Sequence, residues 1–234
     1  MRFLSESRRH GGLSRAFTLI ELLAVVAIIG ILVAVILPTL GSARSAAMRS
    51  RTRAQFAQWA LGVEAFRQAY GHYPLFDPQG LVNPPGASCA PAQPHLFHDL
   101  LAGRRRDGTP LPGRSGAPAA SAEAQNVRGL AFLVFGEADL VPAGFPDETR
   151  RNLVRDAFDG TEIAVLVDRN LDGRIVVGGG DADYAAFPIV RSVRGTALVP
   201  ADDDFPRDGL RAGVAFYSAP PDADEAGDLV LSWK

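Results

Sequence analysis

Asp168-Arg169-Asn170-Leu171-Asp172-Gly173 sets three oxygen-bearing side chains at alternate positions and closes on a glycine. Such alternation lets several oxygens converge on one hard cation while glycine makes the sharp turn, which is how a calcium loop of the EF-hand type begins. The twelfth position of that loop needs a bidentate Glu and here holds Gly179, so the motif is incomplete; Asp181 and Asp183 are the nearby carboxylates that could complete it. The same residues also suit a hairpin turn, for which Asn and Asp-Gly are equally apt, and both readings stand. His95-x-x-His98 has a metal-like spacing, but it sits in a proline-rich stretch without a predicted helix or a zincin glutamate. No G-x-S-x-G and no phosphate-binding loop occurs, and Gly178–Gly180 opens no helix. The chain is expected not to be an enzyme. A third chemically distinctive residue is Glu21, the one charge in the run Phe17–Leu37. An acid near the membrane centre costs about 2.5–3.5 kcal/mol, less near an end, and is rarely kept without a partner.

These residues must be positioned by a chain of 234 residues. That length allows one ordinary domain plus an appendage. The formal net charge of −2, from 24 Lys and Arg against 26 Asp and Glu, excludes the basic surface of a general nucleic-acid binder. Cys89 is the only cysteine, so no intramolecular disulfide is possible and no role is assigned to it. Residues 1–16 carry Arg2, Arg8, Arg9 and Arg15 against Glu6. The 21 residues from Phe17 to Leu37 follow without a polar stripe. At ~1.5 Å per residue they reach about 30 Å as a helix, enough to span a bilayer core. The run is longer than the apolar region of an ordinary secretory signal, although small residues at Gly41, Ser42 and Ala43 could serve as a cleavage site. Charge alone does not orient the span, because Arg44, Arg49, Arg51 and Arg53 lie on the far side from the leader arginines.

Arg15-Ala16-Phe17-Thr18-Leu19-Ile20-Glu21-Leu22-Leu23 resembles the class III signal of type IV pilins and type II secretion pseudopilins. The resemblance implies cleavage between Ala16 and Phe17 by prepilin peptidase on the cytoplasmic side, followed by methylation of the new amine. The family residue before the cut is Gly; Ala16 replaces it, and slower cleavage is expected. Pro38 stands where the family helix commonly has a proline. Cleavage creates an α-ammonium at Phe17, which in a fibre could pair with Glu21 of a neighbouring subunit and offset the cost of burying both charges. The other reading of Glu21 is a carboxylate that reaches back to the headgroup region.

Beyond the apolar run the helix signal continues through residues 38–72, with Phe56, Trp59, Val63 and Phe66 on one face. It stops near Tyr70-Gly71, with Pro74 just beyond. Phe66, Gly71, Tyr73, Pro74, Gln79, Gly80 and Leu81 resemble the corresponding phrase of the major pseudopilin of type II secretion. Residues 77–126 hold eight of the 17 prolines and read as an irregular, partly disordered loop. Residues 127–234 read as a β-rich domain, with strands at EIAVLVD, RIVVGG, LRAGVAFYSA and DLVLSWK. The expected fold is α+β, a long N-terminal transmembrane helix continuing into a small antiparallel β-sheet domain, the pilin-like lollipop.

The stretch from Tyr217 to Leu229, ending in Ser232-Trp233, resembles the calcium loop of major pseudopilins. Carried over by that resemblance, Ser218, Asp222 and Asp228 match best, with Asp224 and Glu225 as additions; Pro220 and Ala223 replace family glycines. A solvated acidic turn is the other reading, as for Asp202-Asp203-Asp204. The resemblance implies a structural subunit of a type II secretion pseudopilus, anchored in the bacterial inner membrane with its C-terminal domain in the periplasm. Its implied partners are copies of itself and other pseudopilins, prepilin peptidase, the inner-membrane assembly platform and membrane lipid. A type IV pilus or DNA-uptake pilin, and a single-span anchored periplasmic binding domain that never polymerises, are the alternatives.

Overall fold

The computed structural model describes residues 18–76, 79–180 and 182–234, without the side chains of 35–40. The predicted cleavage residues Ala16 and Phe17, and Asp181, lie outside that set, as does the side chain of Pro38. The chain divides into two units, Met1–Ala46 and Ala47–Lys234. Helix α1, Leu19–Tyr70, is 52 residues long and is unbroken through position 38. In the first unit its described apolar side chains are exposed, from Leu19 at 80% to Val33 at 45%. Among the described residues no helix is long and apolar enough to cross a membrane.

In the second unit α1 is built from good helix formers and buries one stripe: Thr52, Phe56, Trp59, Val63 and Phe66. It ends at Gly71, whose φ of +82° is a left-handed turn open to glycine, with the Gly71 amide donating to the Arg67 carbonyl at 2.7 Å. A three-stranded antiparallel sheet packs on this stripe in the order β1 (Ile163–Val167), β4 (Val214–Ser218), β5 (Val230–Leu231). Val165 lies opposite Phe216, which sets the register. Beyond β1 the chain at Gly80–Val82 closes the edge, with Val165 N donating to Gly80 O and Val82 N to Ile163 O. A two-stranded hairpin, β2 (Val190–Arg191) with β3 (Ala197–Leu198), stands apart.

Every residue of β1 and β4 is buried, because both faces of the sheet are covered. Ile163, Val165, Val167, Val214, Phe216 and Val230 face a core built around Trp59. Ala164, Leu166, Ala215, Tyr217 and Leu231 face a second core with Ile175, Tyr184, Val190 and Phe205. Trp59 lies 5.4 Å from the Phe97 ring centre and 5.7 Å from that of Phe216. The architecture is α+β, a helix followed by a small antiparallel sheet, as expected.

The region 77–126 differs from its expectation. It carries two short helices, α2 (Leu96–Ala102) and α3 (Ala122–Gln125). Phe97, Leu100 and Leu101 of α2 enter the Trp59 core. The proline content disguised a segment whose apolar residues come in one short cluster. RIVVGG also departs: it forms no hairpin with β1 and makes only isolated bridges, Ile175 with Leu210 and Val177 with Tyr184.

Candidate functional site

Glu21 sits in the first turn of α1, three residues after Thr18. Its Oε2 accepts the Thr18 amide at 2.9 Å and the Thr18 hydroxyl at 2.8 Å, while the Glu21 amide donates to Thr18 Oγ1 at 3.3 Å. This is a capping box, with Thr18 as N-cap and Glu21 as its reciprocal acceptor. A carboxylate here also meets the positive end of the helix dipole. Thr-Leu-Ile-Glu carries the S/T-x-x-E signature, so the sequence holds this third role of Glu21 beside the charge-pairing and headgroup readings. The helix therefore begins at Leu19, with Thr18 as its cap.

The loop after β1 is organised by buried carboxylates. Asp168, 3% exposed, accepts the Asp172 amide at 3.2 Å through Oδ1 and the Gly173 amide at 2.8 Å through Oδ2. Asn170 Oδ1 takes the Asp172 amide at 3.0 Å, and Asn170 Nδ2 donates to Asp172 Oδ2 at 3.2 Å. Asp172 Oδ1 accepts the Arg174 amide at 2.9 Å. Leu171 and Gly173 adopt φ of +62° and +87°, which tightens the turn. Asp183 crosses from the far side, accepting the Arg169 amide at 2.7 Å and the Val176 amide at 2.9 Å. The structure thus brings Asp168, Asn170, Asp172 and Asp183 onto one loop.

The C-terminal acids are not gathered in the same way. Ser218 is fully buried and its hydroxyl donates to Asp156 Oδ2 at 2.7 Å. Asp156, itself buried, also accepts the amides of Phe158 at 2.9 Å and Gly160 at 2.8 Å. Burial pushes the Asp156 carboxyl above its ordinary range, opposed by these three donors. Asp228 caps a turn instead, Oδ2 accepting the amides of Asp224 at 3.0 Å and Glu225 at 3.2 Å, which hold its carboxyl below the usual value. Asp222 is exposed and Asp224 pairs with Arg194 at 2.7 Å. Among the described residues no group of three or more His, Cys, Asp or Glu is placed to hold a metal ion.

The histidines do have a helix to fix them. His95 is the N-cap of α2, and its Nδ1 takes the His98 amide at 3.3 Å. Its Nε2 lies 2.8 Å from Asn83 Oδ1. Asn83 Nδ2 donates to Val154 O and Thr161 O, so Oδ1 is the acceptor and His95 carries its proton on Nε2. Burial, then the nearby Arg106, pushes the His95 pKa down to about 3. The ring is a neutral structural link. Asn83, which joins α2 to residues 154 and 161, gave no signal in the sequence.

Residues 13–37 match the family model described as the prokaryotic N-terminal methylation motif. Comparison with curated proteins and with solved structures gives no match. The matched segment contains Phe17, Thr18, Glu21 and the whole of the apolar run. It supports a type IV pilin-like subunit, processed by prepilin peptidase and assembled with pilin-like subunits.

Proposed function

We propose that the chain is a structural subunit of a type II secretion pseudopilus, held in the inner membrane by the apolar run 17–37 until it assembles. The observation that carries the reading is the methylation motif running into a capped helix whose apolar side chains from Leu19 to Val33 are exposed. Exposed apolar surface on this scale needs lipid or other apolar helices around it. Head-to-tail packing that never closes would make a filament. The choice of secretion over a pilus or DNA-uptake fibre rests on the resemblance of the Phe66–Leu81 phrase to the major pseudopilin, which separates the two only weakly. The work of such a subunit is mechanical.

In this reading Glu21 has two tasks, capping its own helix and pairing with the Phe17 ammonium of a neighbour. Substitution separates them. Glu21→Gln keeps the capping acceptor and removes the charge, whereas Glu21→Ala removes both. Both variants should insert and be cleaved, and both should fail to form fibres. Fibres from Glu21→Gln alone would reduce the residue to a cap. Mass spectrometry of the membrane-extracted protein tests the reading itself: a chain beginning at methylated Phe17 is expected, and an uncut Ala16–Phe17 bond in the presence of the peptidase would overturn it.

Calcium belongs to the same proposal, at the loop of Asp168, Asn170 and Asp172 with Asp183 across it, whose oxygens accept backbone amides in the structure and would have to turn onto the ion. What supports it is the donor chemistry: carboxylate and amide oxygens alternate on a tight turn. Calorimetric titration of the full chain in detergent should show one site that Asp172→Ala abolishes. No heat of binding in the wild type would remove calcium from the account.

A further inference from the structure

The hairpin of β2 and β3 has one face in the core and one in solvent. Val190 and its partner Leu198 are buried, whereas Arg191 and its partner Ala197 are exposed. Ile189 and Val193 flank Arg191 on the outer face, 50% and 71% exposed. The guanidinium between them joins none of the ion pairs among the described residues. The backbone of this strand is equally unused. Ser192 N donates to Thr196 O at 3.0 Å. Alternation along an antiparallel ladder then turns the N–H and C=O of Arg191, and those of Ile189, away from β3. Among the described residues β2 pairs with β3 alone, so this edge is left open. An open edge is a template for another strand.

The edge faces space rather than protein. Two clefts of about 730 and 610 Å³ share Pro85, Glu162 and Arg191 in their walls, and neither Ala197 nor Leu198 of β3 lines them. Both sides of the gap are pinned. Asn83 Nδ2 ties the Pro84-Pro85 wall to Val154 O and Thr161 O. The Tyr217 hydroxyl donates to Pro188 O at the start of β2. Pro188 in turn packs on Gly80 so closely that a Cβ there would fall 2.7 Å from Pro188 Cγ. The hairpin is therefore held off the opposite wall, and a ligand meets a groove already formed. Ser192 lines the first cleft, and its hydroxyl is buried without a partner. A turn about χ1 would present that hydroxyl to a bound main chain.

We propose that the outer edge of β2 takes an extended segment of another protein as an added strand, with one acidic side chain over Arg191 and apolar ones beside Ile189 and Val193. A second copy fits poorly, because two β2 edges paired antiparallel set Arg191 against Arg191 or leave both without an acid. A run of acids fits poorly too, because Glu162 lines both clefts. All of these residues belong to the C-terminal unit, so the proposal stands apart from the fate of the apolar run.

The probe is the capped peptide Ser-Val-Thr-Asp-Thr-Val-Ser, added to the full chain in detergent and followed by hydrogen exchange of the Ile189 and Arg191 amides. Both amides should exchange rapidly in the free protein and slow about tenfold with peptide at ten times its Kd. Arg191→Glu should weaken binding about fivefold, and a peptide with Lys in place of Asp should restore it. Methylating alternate peptide nitrogens should abolish binding in one phase, where those nitrogens face β2, and spare it in the other. No saturable protection up to about 1 mM peptide overturns the proposal. So does binding indifferent to the charge reversal, or to methylation in both phases. Protection of the two amides without peptide, lost on dilution, overturns it in favour of a second copy.

Discussion

Two Asp-bearing loops of the C-terminal unit, 168–174 and 218–228, have opposite construction. In the 168–174 loop a buried carboxylate of the loop itself, Asp168, and a second from across it, Asp183, gather backbone amides from several residues around them. In the 218–228 loop the buried carboxylate is an outsider, Asp156, and the loop's own acids face solvent or cap a short turn. An acid's type and spacing do not decide its use; its burial and its amide donors do. A buried carboxylate that satisfies amides holds a fold together, because each amide left unpaired costs about 1–3 kcal/mol.

The sharpest break in the comparison is Asp168→Ala. It strips the Gly173 amide of its acceptor and leaves the Asp172 amide to Asn170 Oδ1 alone, and a loss of about 1–3 kcal/mol is expected, read as a fall of several degrees in Tm. A loss under about 0.5 kcal/mol would put this loop in the same class as the exposed one. Asp156 gives the next effect, and it is one of pH. Its folded carboxyl is raised, so its contribution is fully present below the unfolded value and fades as pH rises through the folded one. Asp156→Asn keeps an acceptor for Phe158 and Gly160 and offers Ser218 a donor. The variant should equal or exceed the wild type in Tm at neutral pH and lose ground to it in acid. The reverse ordering would mean that the carboxylate is preferred charged. Asp228 is lowered, so its contribution is present above the unfolded value and is lost as pH falls through the folded one. Asp228→Ala should cost roughly 0.5–1 kcal/mol as a lost cap. Asp222→Ala should leave Tm unchanged within error, and a clear loss there would point to a ligand held by that loop.

The sequence made some of this legible and hid the rest for identifiable reasons. Phe56, Trp59, Val63 and Phe66 announced the buried stripe because helical period alone reveals it. EIAVLVD and the strand from Val214 were found because runs buried on both faces are continuously apolar. Asp168, Asn170 and Asp172 were found as a group because a local loop is written locally. Ser218 with Asp156 was missed because 62 residues separate them. Asn83 with His95, Val154 and Thr161 was missed for the same reason. Helix α2 was missed because prolines on both sides made its seven residues look like loop. Glu21 was seen as a charge and not as a cap, although its spacing to Thr18 stated both.

The sheet covered on both faces has a kinetic consequence. Strands β1 and β4 belong to both cores at once, so neither core can open while the other stays closed. The unit should therefore melt in one cooperative step, with the amides of Val165 and Phe216 exchanging only through global opening. A head built this way passes load as a single rigid body, yielding all at once or not at all.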